Sequence, residues 1–133
     1  GKVYICIKPK TSLFLTSSEK NYISESIIKP KAILGIFPTL VDPVYNTVQL
    51  QTTVYYDPNL TNKSASQIEQ AVRQSISNYN NTNLQKFNGV LRYSRLVRAI
   101  DDADSAIISN ETTFILRRIV DVIFNFLLSA NFQ

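Results

Sequence analysis

The chain has 133 residues, an apolar fraction of 44% and a net charge of +4. This length fits about one domain with a core of its own, and the apolar fraction excludes a wholly disordered chain. Only 3 glycines and 5 prolines are present, too few for a linker or a fibrous repeat. The lone Cys6 excludes an intramolecular disulfide and is predicted to be a small buried strand residue.

The N-terminal third is predicted to contain a strand, a helix and a second strand. "KVYICIK" alternates β-branched and polar residues, which favours a strand. Thr16 precedes Glu19 by the spacing of a capping box, so a helix is predicted to begin there. It should end near Lys29, because a proline follows. "GIFPTLV" is predicted to be a short strand whose proline places it at a sheet edge or a bulge.

The clearest strand of the chain is predicted in "NTVQLQTTVYYD". Its side chains alternate between an apolar set and a polar set, as in an antiparallel strand with one buried face. The motif Asp57-Pro58-Asn59 is expected to close this strand with a turn. The inward-facing residues of the strand are Val48, Leu50, Thr52 and Val54.

Two helices are predicted next. Ser64 and Gln67 form a second capping-box pair at the start of an amphipathic helix. Asn88 begins an Asn-Gly turn, and Ser94 is predicted to cap a short helix that ends at about Ile100. The inward residues of the first helix recur at helical spacing and are Ile68, Ala71, Val72, Ile76 and Tyr79.

The short helix is predicted to bury one face and to expose a charged one. Its inward residues are Leu96, Val97 and Ile100. Arg98 is expected to pair on the helix surface with Asp101 or Asp102. A strand pattern then returns from Ala106 to about Val120, with a bend around 109–111.

The order of these elements predicts an α+β fold. Strand, helix, two strands, two helices and a strand match a split βαβ (ferredoxin-like) antiparallel sheet with helices on one face. Residues 1–133 are predicted to form a single α+β domain. The chain has no methionine and stops just after an apolar run, so it is expected to be an excerpt of a longer chain.

Catalytic chemistry is not expected, because the chain has no histidine, the usual general base and the commonest metal ligand. Asp101, Asp102 and Asp104 form the one dense acidic cluster. Neighbouring carboxylates at a helix end point in different directions, and no EF-hand spacing surrounds them. They are therefore interpreted as a solvated helix end, and no metal, cofactor or small-molecule ligand is predicted.

Binding of single-stranded nucleic acid is the alternative function. The split βαβ order is shared with RNA-recognition motifs, which stack bases on aromatic residues of the sheet. Tyr4 on the first strand and Tyr55 or Tyr56 on the third are the candidates for such stacking. However, the octapeptide of those motifs is missing from "LQTTVYYD".

Assembly through protein contacts is the preferred class. The C-terminal segment "IVDVIFNFLLSANF" has one charge, yet it is too short and too interrupted to span a bilayer. It is either part of the core or an apolar element that docks on another subunit. Its candidate interface residues are Val122, Ile123, Phe124, Phe126, Leu127 and Leu128.

Two stretches of the chain carry a family resemblance. "VDPVYNTVQLQTTVYYDP" and, further on, "FNGVLRYSRLVRAIDDADSAIISNETTFILRR" resemble the baseplate wedge proteins of T-even-type contractile-tailed bacteriophages and, more broadly, the baseplate J-like family. The shared pattern is a D-P-x-Y turn, an alternating strand, an amphipathic helix, a short helix and a closing strand. It covers about residues 41–118. The resemblance implies a structural virion protein of the tail baseplate, assembled in the host bacterial cytoplasm.

The resemblance also implies the partners. These proteins contact copies of themselves as homodimers or in a ring, bind other baseplate wedge proteins and act as hinges during tail contraction. Neither a membrane nor nucleic acid is an expected partner. Exposed arginines would pair with carboxylates of neighbouring subunits and fix orientation, while the apolar segment supplies affinity. These candidate arginines are Arg95, Arg98, Arg117 and Arg118.

Overall fold

The structure is a computed structural model that describes residues 1–119 and 128–132, with side chains for residues 1–118. The described strands form one two-stranded and one three-stranded sheet. Two compact units are present, and their described parts are residues 1–46 with 118–119 and residues 47–117 with 128–132. The single-domain prediction for residues 1–133 stays a prediction.

The first unit is built on two parallel strands with a helical segment between them. Strand β1 is Lys2–Cys6 and strand β2 is Phe37–Val41, and the two pair in parallel along their whole length. The segment between them begins with helix α1, Ser17–Tyr22, and continues as a π-helical turn, Ile23–Ile28, and a 3-10 turn, Lys29–Lys31. Parallel neighbours need such a crossover connection, because a tight turn cannot join them.

The start of α1 confirms the predicted capping box. The side-chain hydroxyl of Thr16 accepts a hydrogen bond from Glu19 N at 3.2 Å, and the Glu19 carboxylate accepts one from Thr16 N at 2.8 Å. The bonds from the backbone and side chain of Thr16 hold the pKa of Glu19 below its ordinary value. The helical segment ends at Lys31, slightly beyond the predicted Lys29, because its proline lies in the first turn of the 3-10 helix, where proline is tolerated.

Cys6 is exposed, so the prediction that it is buried is wrong. Lys2, Tyr4 and Cys6 point to the same face of β1 and all three are exposed, so within the described residues this face is not covered by packing. The strand itself was predicted correctly.

The remaining elements are two helices and three strands, with short helical turns between them. Asp57 caps the first of these turns by accepting a hydrogen bond from Asn59 N at 2.8 Å, as the Asp-Pro-Asn motif predicted. In chain order the elements are β3, Tyr45–Tyr56; a 3-10 turn, Pro58–Leu60; α2, Ala65–Tyr79; a π-helical turn, Asn80–Leu84; α3, Tyr93–Asp101; β4, Ile107–Ile119; and β5, Leu128–Phe132.

The core of the second unit lies between one face of β3 and the two helices. The alternation predicted for β3 is confirmed, because Leu50, Thr52 and Val54 are buried. Most predicted inward residues of α2 and α3 are buried too, whereas Ala71 and Val97 are half-buried. Each fully buried aliphatic side chain contributes about 1.5–3 kcal/mol. The residues that form this core cluster are Leu50, Val54, Val72, Ile76, Tyr79, Leu96 and Ile100.

The three-stranded sheet has the order β4-β3-β5 and mixed directions. Strand β5 runs parallel to β3. Strand β4 runs antiparallel to β3. Asp57 N donates to Ala106 O at 2.9 Å, and the earlier residue Thr52 of β3 contacts the later residue Thr112 of β4. An α+β fold with helices against one face of β3 is therefore present. The antiparallel ferredoxin-like sheet is not confirmed, because the described strands form two sheets with parallel pairs in both.

Strand β4 contains one extra residue relative to its neighbour. Between the two contacts just described, β3 advances five residues, from Thr52 to Asp57, and β4 advances six, from Ala106 to Thr112. In agreement, Ile107 packs against the core and Thr112 is also buried, although regular alternation would place them on opposite faces. Such a slip is a β-bulge, and the bend predicted around 109–111 stays a prediction.

The connection before α3 corrects one prediction and confirms another. The helix begins at Tyr93 with Arg92 as its N-cap, so Ser94 lies inside the first turn and does not cap it. No side chain of the described residues caps the start of this helix; the backbone N–H of Arg92 donates to the hydroxyl of Tyr79 at 3.3 Å. The predicted turn is present: Asn88 has a φ of 62°, and a Cβ on Gly89 would lie 2.8 Å from a backbone oxygen.

Candidate protein interface

Helix α3 presents arginines on the side opposite its buried residues. Arg95 and Arg98 are exposed, as predicted, while Leu96 and Ile100 are buried in the core. The two arginines are three residues apart, which places them on one face of the helix. A rigid core beneath α3 therefore holds two guanidinium groups toward the solvent.

Helix α3 is fixed to strand β4 by the side chain of Asn110. Its amide nitrogen donates to Asp101 Oδ1 at 2.6 Å and to Val97 O at 3.2 Å. Asp101 is thus bound by Asn110, and the pairing predicted between Arg98 and the two aspartates is not among the ion pairs of the described residues. This leaves Arg98 free of a described carboxylate.

Tyr93 makes a second connection between α3 and β4. Its hydroxyl donates to Thr112 O at 2.7 Å, and its ring lies 5.8 Å from the ring of Phe114, centroid to centroid. Asn110 and Tyr93 therefore join α3 and β4 at two points.

The prediction that the acidic cluster is a solvated helix end is wrong for two of its three members: Asp102 is exposed, but Asp101 is half-buried and bound by Asn110, and Asp104 is buried. Asp104 is buried and accepts hydrogen bonds from Lys63 Nζ at 2.5 Å and from Ala106 N at 3.0 Å. These two bonds, the Lys63 bond first, hold the pKa of Asp104 below its ordinary value of 3.8. No group of three potential metal-ligating side chains occurs within the described residues. Sequence reasoning missed Lys63, since 41 residues separate it from Asp104 and no motif connects them.

The second half of β4 is exposed and carries both apolar and charged side chains. Ile115 is 55% exposed and Leu116 59% exposed. Arg117 and Arg118 follow and are exposed, as the interface prediction requires. Neither arginine forms an ion pair with a described residue.

The apolar C-terminal segment is only partly described. The predicted interface residues Val122, Ile123, Phe124, Phe126 and Leu127 lie outside the described residues. Leu128 begins β5, where it pairs with Leu50 of β3. Whether the segment is core or interface therefore stays a prediction.

The tyrosines of the nucleic-acid alternative are on two different sheets. Tyr4 lies on β1 of the two-stranded sheet, whereas Tyr55 and Tyr56 lie on β3 of the three-stranded sheet. Base stacking in RNA-recognition motifs uses aromatic residues on neighbouring strands of one sheet. These three residues do not form that platform. None of the helices in the described ranges has the length and hydrophobicity needed to cross a bilayer.

Comparison with known proteins identifies the family. The family model for the baseplate structural protein gp6, C-terminal domain III, matches residues 44–119, which is more than half of the chain. The chain therefore belongs to this family of structural proteins of the phage tail baseplate, which places it in the virion. The resemblance to baseplate wedge proteins is thus confirmed.

One curated relative is the baseplate wedge protein gp6 of Enterobacteria phage T4. The two are 27% identical over 117 residues, which is 85% of this chain and 17% of that protein. The chain thus spans less than a fifth of the relative's length. The family-model match over residues 44–119 includes α3 and β4, which carry the four candidate arginines.

Proposed function

We propose that this domain is a self-associating wedge subunit, which forms part of a baseplate ring and acts as a hinge when the tail contracts. The ring, the homodimer contacts and the hinge come from the family resemblance. The broader likeness to the baseplate J-like family is part of the same proposal. It is supported by the order of β3, α2, α3 and β4, which follows the predicted pattern.

The observation that carries the assembly proposal is the grouping of four exposed arginines on α3 and the end of β4; other exposed cations such as Lys86 also lack a described carboxylate but lie outside these two elements. Lys20, Lys29, Lys63 and Arg73 each pair with a carboxylate of their own chain. The four candidate arginines on α3 and β4 pair with no described carboxylate. Arginine suits contacts between subunits, because its planar group binds a carboxylate through two hydrogen bonds in a fixed orientation.

The proposal contains no catalytic step and no cofactor. Its partners are copies of the same protein and other wedge proteins, whose acidic side chains would meet Arg95, Arg98, Arg117 and Arg118. The apolar segment from Val122 to Leu128 would supply affinity as buried anchors. If Phe124→Ala and Phe126→Ala lower the thermal stability of the monomer and leave assembly intact, that segment is core.

Cross-linking mass spectrometry of purified baseplates tests the ring and the hinge. We expect cross-links between copies of the chain and from the chain to other wedge proteins. Some of these should change after contraction is triggered. Baseplates whose cross-links contain no pair between two copies would contradict the ring, and an unchanged set after contraction would contradict the hinge.

Charge reversal tests the arginines. Arg98→Glu should reduce incorporation of the whole protein into baseplates, because it replaces an attractive contact with a repulsive one. Lys86→Glu is the matched control, since Lys86 is an exposed cation of the same unit outside α3 and β4. Equal incorporation of both variants, at equal thermal stability, would remove Arg98 from the interface.

A further inference from the structure

Strand β4 is the end strand of the three-stranded sheet. Within the described ranges, β3 pairs with one edge of β4 and no strand pairs with the other. A long end strand with unpaired backbone groups is a template for another strand, and proteins usually protect it with proline, charge or short length. Here β4 has 13 residues and no proline, and Phe114, Ile115 and Leu116 are exposed.

The sequence of β4 restricts how two copies could pair. Two identical strands that pair antiparallel are related by a two-fold axis perpendicular to the sheet, and this axis keeps each side chain on its own face. Directly opposite residues share a face, so they are an even number of positions apart in the sequence. The residue midway between them therefore lies opposite its own copy. Centring the axis at Glu111 or Arg117 would place like charges together, which is destabilising. Centring it at Phe114 places Glu111 opposite Arg117 of the second copy, since each is three residues from the axis.

In this register, side chains on both faces of β4 find suitable partners in the second copy. Glu111 and Arg117 are both exposed and both on the same face of β4, six residues apart, so the two-fold axis creates the charge pair twice. Phe114 would meet Phe114 of the second copy on the other face. Tyr93 already holds this part of β4 extended, so little conformational entropy is lost on pairing.

We propose that two copies of this domain pair their β4 strands antiparallel about a two-fold axis at Phe114, forming one sheet across both. This β4 contact specifies where the proposed self-association of the subunit would occur, and it rests on that proposed function. Backbone hydrogen bonds join the two edges, and the two Glu111–Arg117 pairs select the register. Thr113 lies directly opposite Ile115 of the second copy.

Disulfide trapping tests the register. Cys6→Ser first removes the native exposed thiol. In that background, a mixture of Thr113→Cys and Ile115→Cys chains should form a disulfide dimer with one chain of each kind, because directly opposite residues are about 4.5–5.5 Å apart. Each variant alone should form far less, since its own copy lies at a diagonal position about 7–8 Å away. A mixture that cross-links no more than the separate variants overturns the proposal.

Charge exchange tests the same contact without a new thiol. In sedimentation experiments, Glu111→Arg alone and Arg117→Glu alone should each raise the dimer dissociation constant roughly tenfold, because like charges then meet twice. The double variant should recover most of that loss. Equal dissociation constants for all four proteins, or a strictly monomeric wild-type chain, would overturn the proposal.

Cross-linking in purified baseplates distinguishes a wrong β4 contact from a wrong ring proposal. Phage with Cys6→Ser, Thr113→Cys and Ile115→Cys in the same chain should yield cross-linked copies in purified baseplates. If cross-linking mass spectrometry joins two copies at other residues but no disulfide forms between residues 113 and 115, the β4 contact is wrong and the ring proposal stands. If no cross-link of any kind joins two copies, both proposals are wrong.

Discussion

The hydroxyl of Thr52 on β3 lies 3.1 Å from the hydroxyl of Thr112 on β4, and both residues are buried. Thr112 donates its own proton to Asn110 Oδ1 at 2.6 Å, so the hydroxyl of Thr52 must be the donor to Thr112. Asn110 in turn donates to Asp101 on α3. A chain of hydrogen bonds therefore runs from β3 through the bulged strand to the helix that presents Arg95 and Arg98.

The direction of these hydrogen bonds predicts that the same threonine-to-valine change at positions 112 and 52 lowers the free energy of unfolding by different amounts. Thr112→Val should lower the free energy of unfolding by about 1–3 kcal/mol, because it leaves the buried hydroxyl of Thr52 without its acceptor. Thr52→Val should cost less, since Thr112 keeps its bond to Asn110. Urea unfolding of both variants checks this, and equal losses would contradict the assigned direction.

The capping box of α2 predicts a second effect. Ser64 N donates to Gln67 Oε1 at 2.8 Å, and the serine hydroxyl accepts from Gln67 N at 3.4 Å. Ser64→Ala should lower the free energy of unfolding by about 1 kcal/mol. Ser77→Ala, at an exposed position within the same helix, is the control and should be neutral or slightly stabilising because alanine favours helix. Indistinguishable urea midpoints would argue against the cap.

The core predicts a contrast between two leucines. Leu96→Ala should lower the free energy of unfolding by about 2–5 kcal/mol, because Leu96 is almost fully buried between helices and sheet. Leu60→Ala is the same chemical change at a position that is 65% exposed and should cost about 0.5 kcal/mol or less. The measurement is chemical denaturation of each variant. A loss at Leu60 that matches the loss at Leu96 would show that Leu60 is covered in solution.

The ion pair of Asp104 predicts how stability depends on pH. The pKa of this carboxyl is lowered in the folded protein, so its stabilising contribution is complete above the ordinary value of 3.8 and is lost as pH falls through the lower folded value. Asp104→Asn should therefore lower Tm at neutral pH, and the difference from wild type should shrink in strong acid.

Asp102→Asn is the control for this experiment. Asp102 is an exposed carboxylate two residues away, so the variant has the same change of charge without the Lys63 bond. Its Tm should stay close to that of the wild type at every pH. Thermal melts at several values between neutral and strongly acid pH compare the three proteins. A wild-type advantage over Asp104→Asn that persists in strong acid would show that packing, not the ionised carboxylate, is responsible.

Local interactions explain which features the sequence determined by itself. Both capping boxes, at Thr16 and at Ser64, were predictable because their bonds join residues three apart in the chain. The buried faces of β3 and α2 were predictable because side-chain direction follows a fixed period within a strand or a helix. The exposure of Arg95 and Arg98 follows from the same periodicity.

Only the tertiary structure decided which strands pair, since pairing joins segments far apart in sequence and local pattern does not encode it. Strand β1 pairs with β2 in parallel, so among the described strands Tyr4 shares no sheet with Tyr55, and the face of β1 that carries Cys6 is exposed. The same holds for polar contacts around α3: Lys63 reaches Asp104 across 41 residues, and the Tyr79 hydroxyl accepts a hydrogen bond from the backbone N–H of Arg92, just before the helix. These contacts depend on how the elements pack, because each exists only once helix and sheet have met.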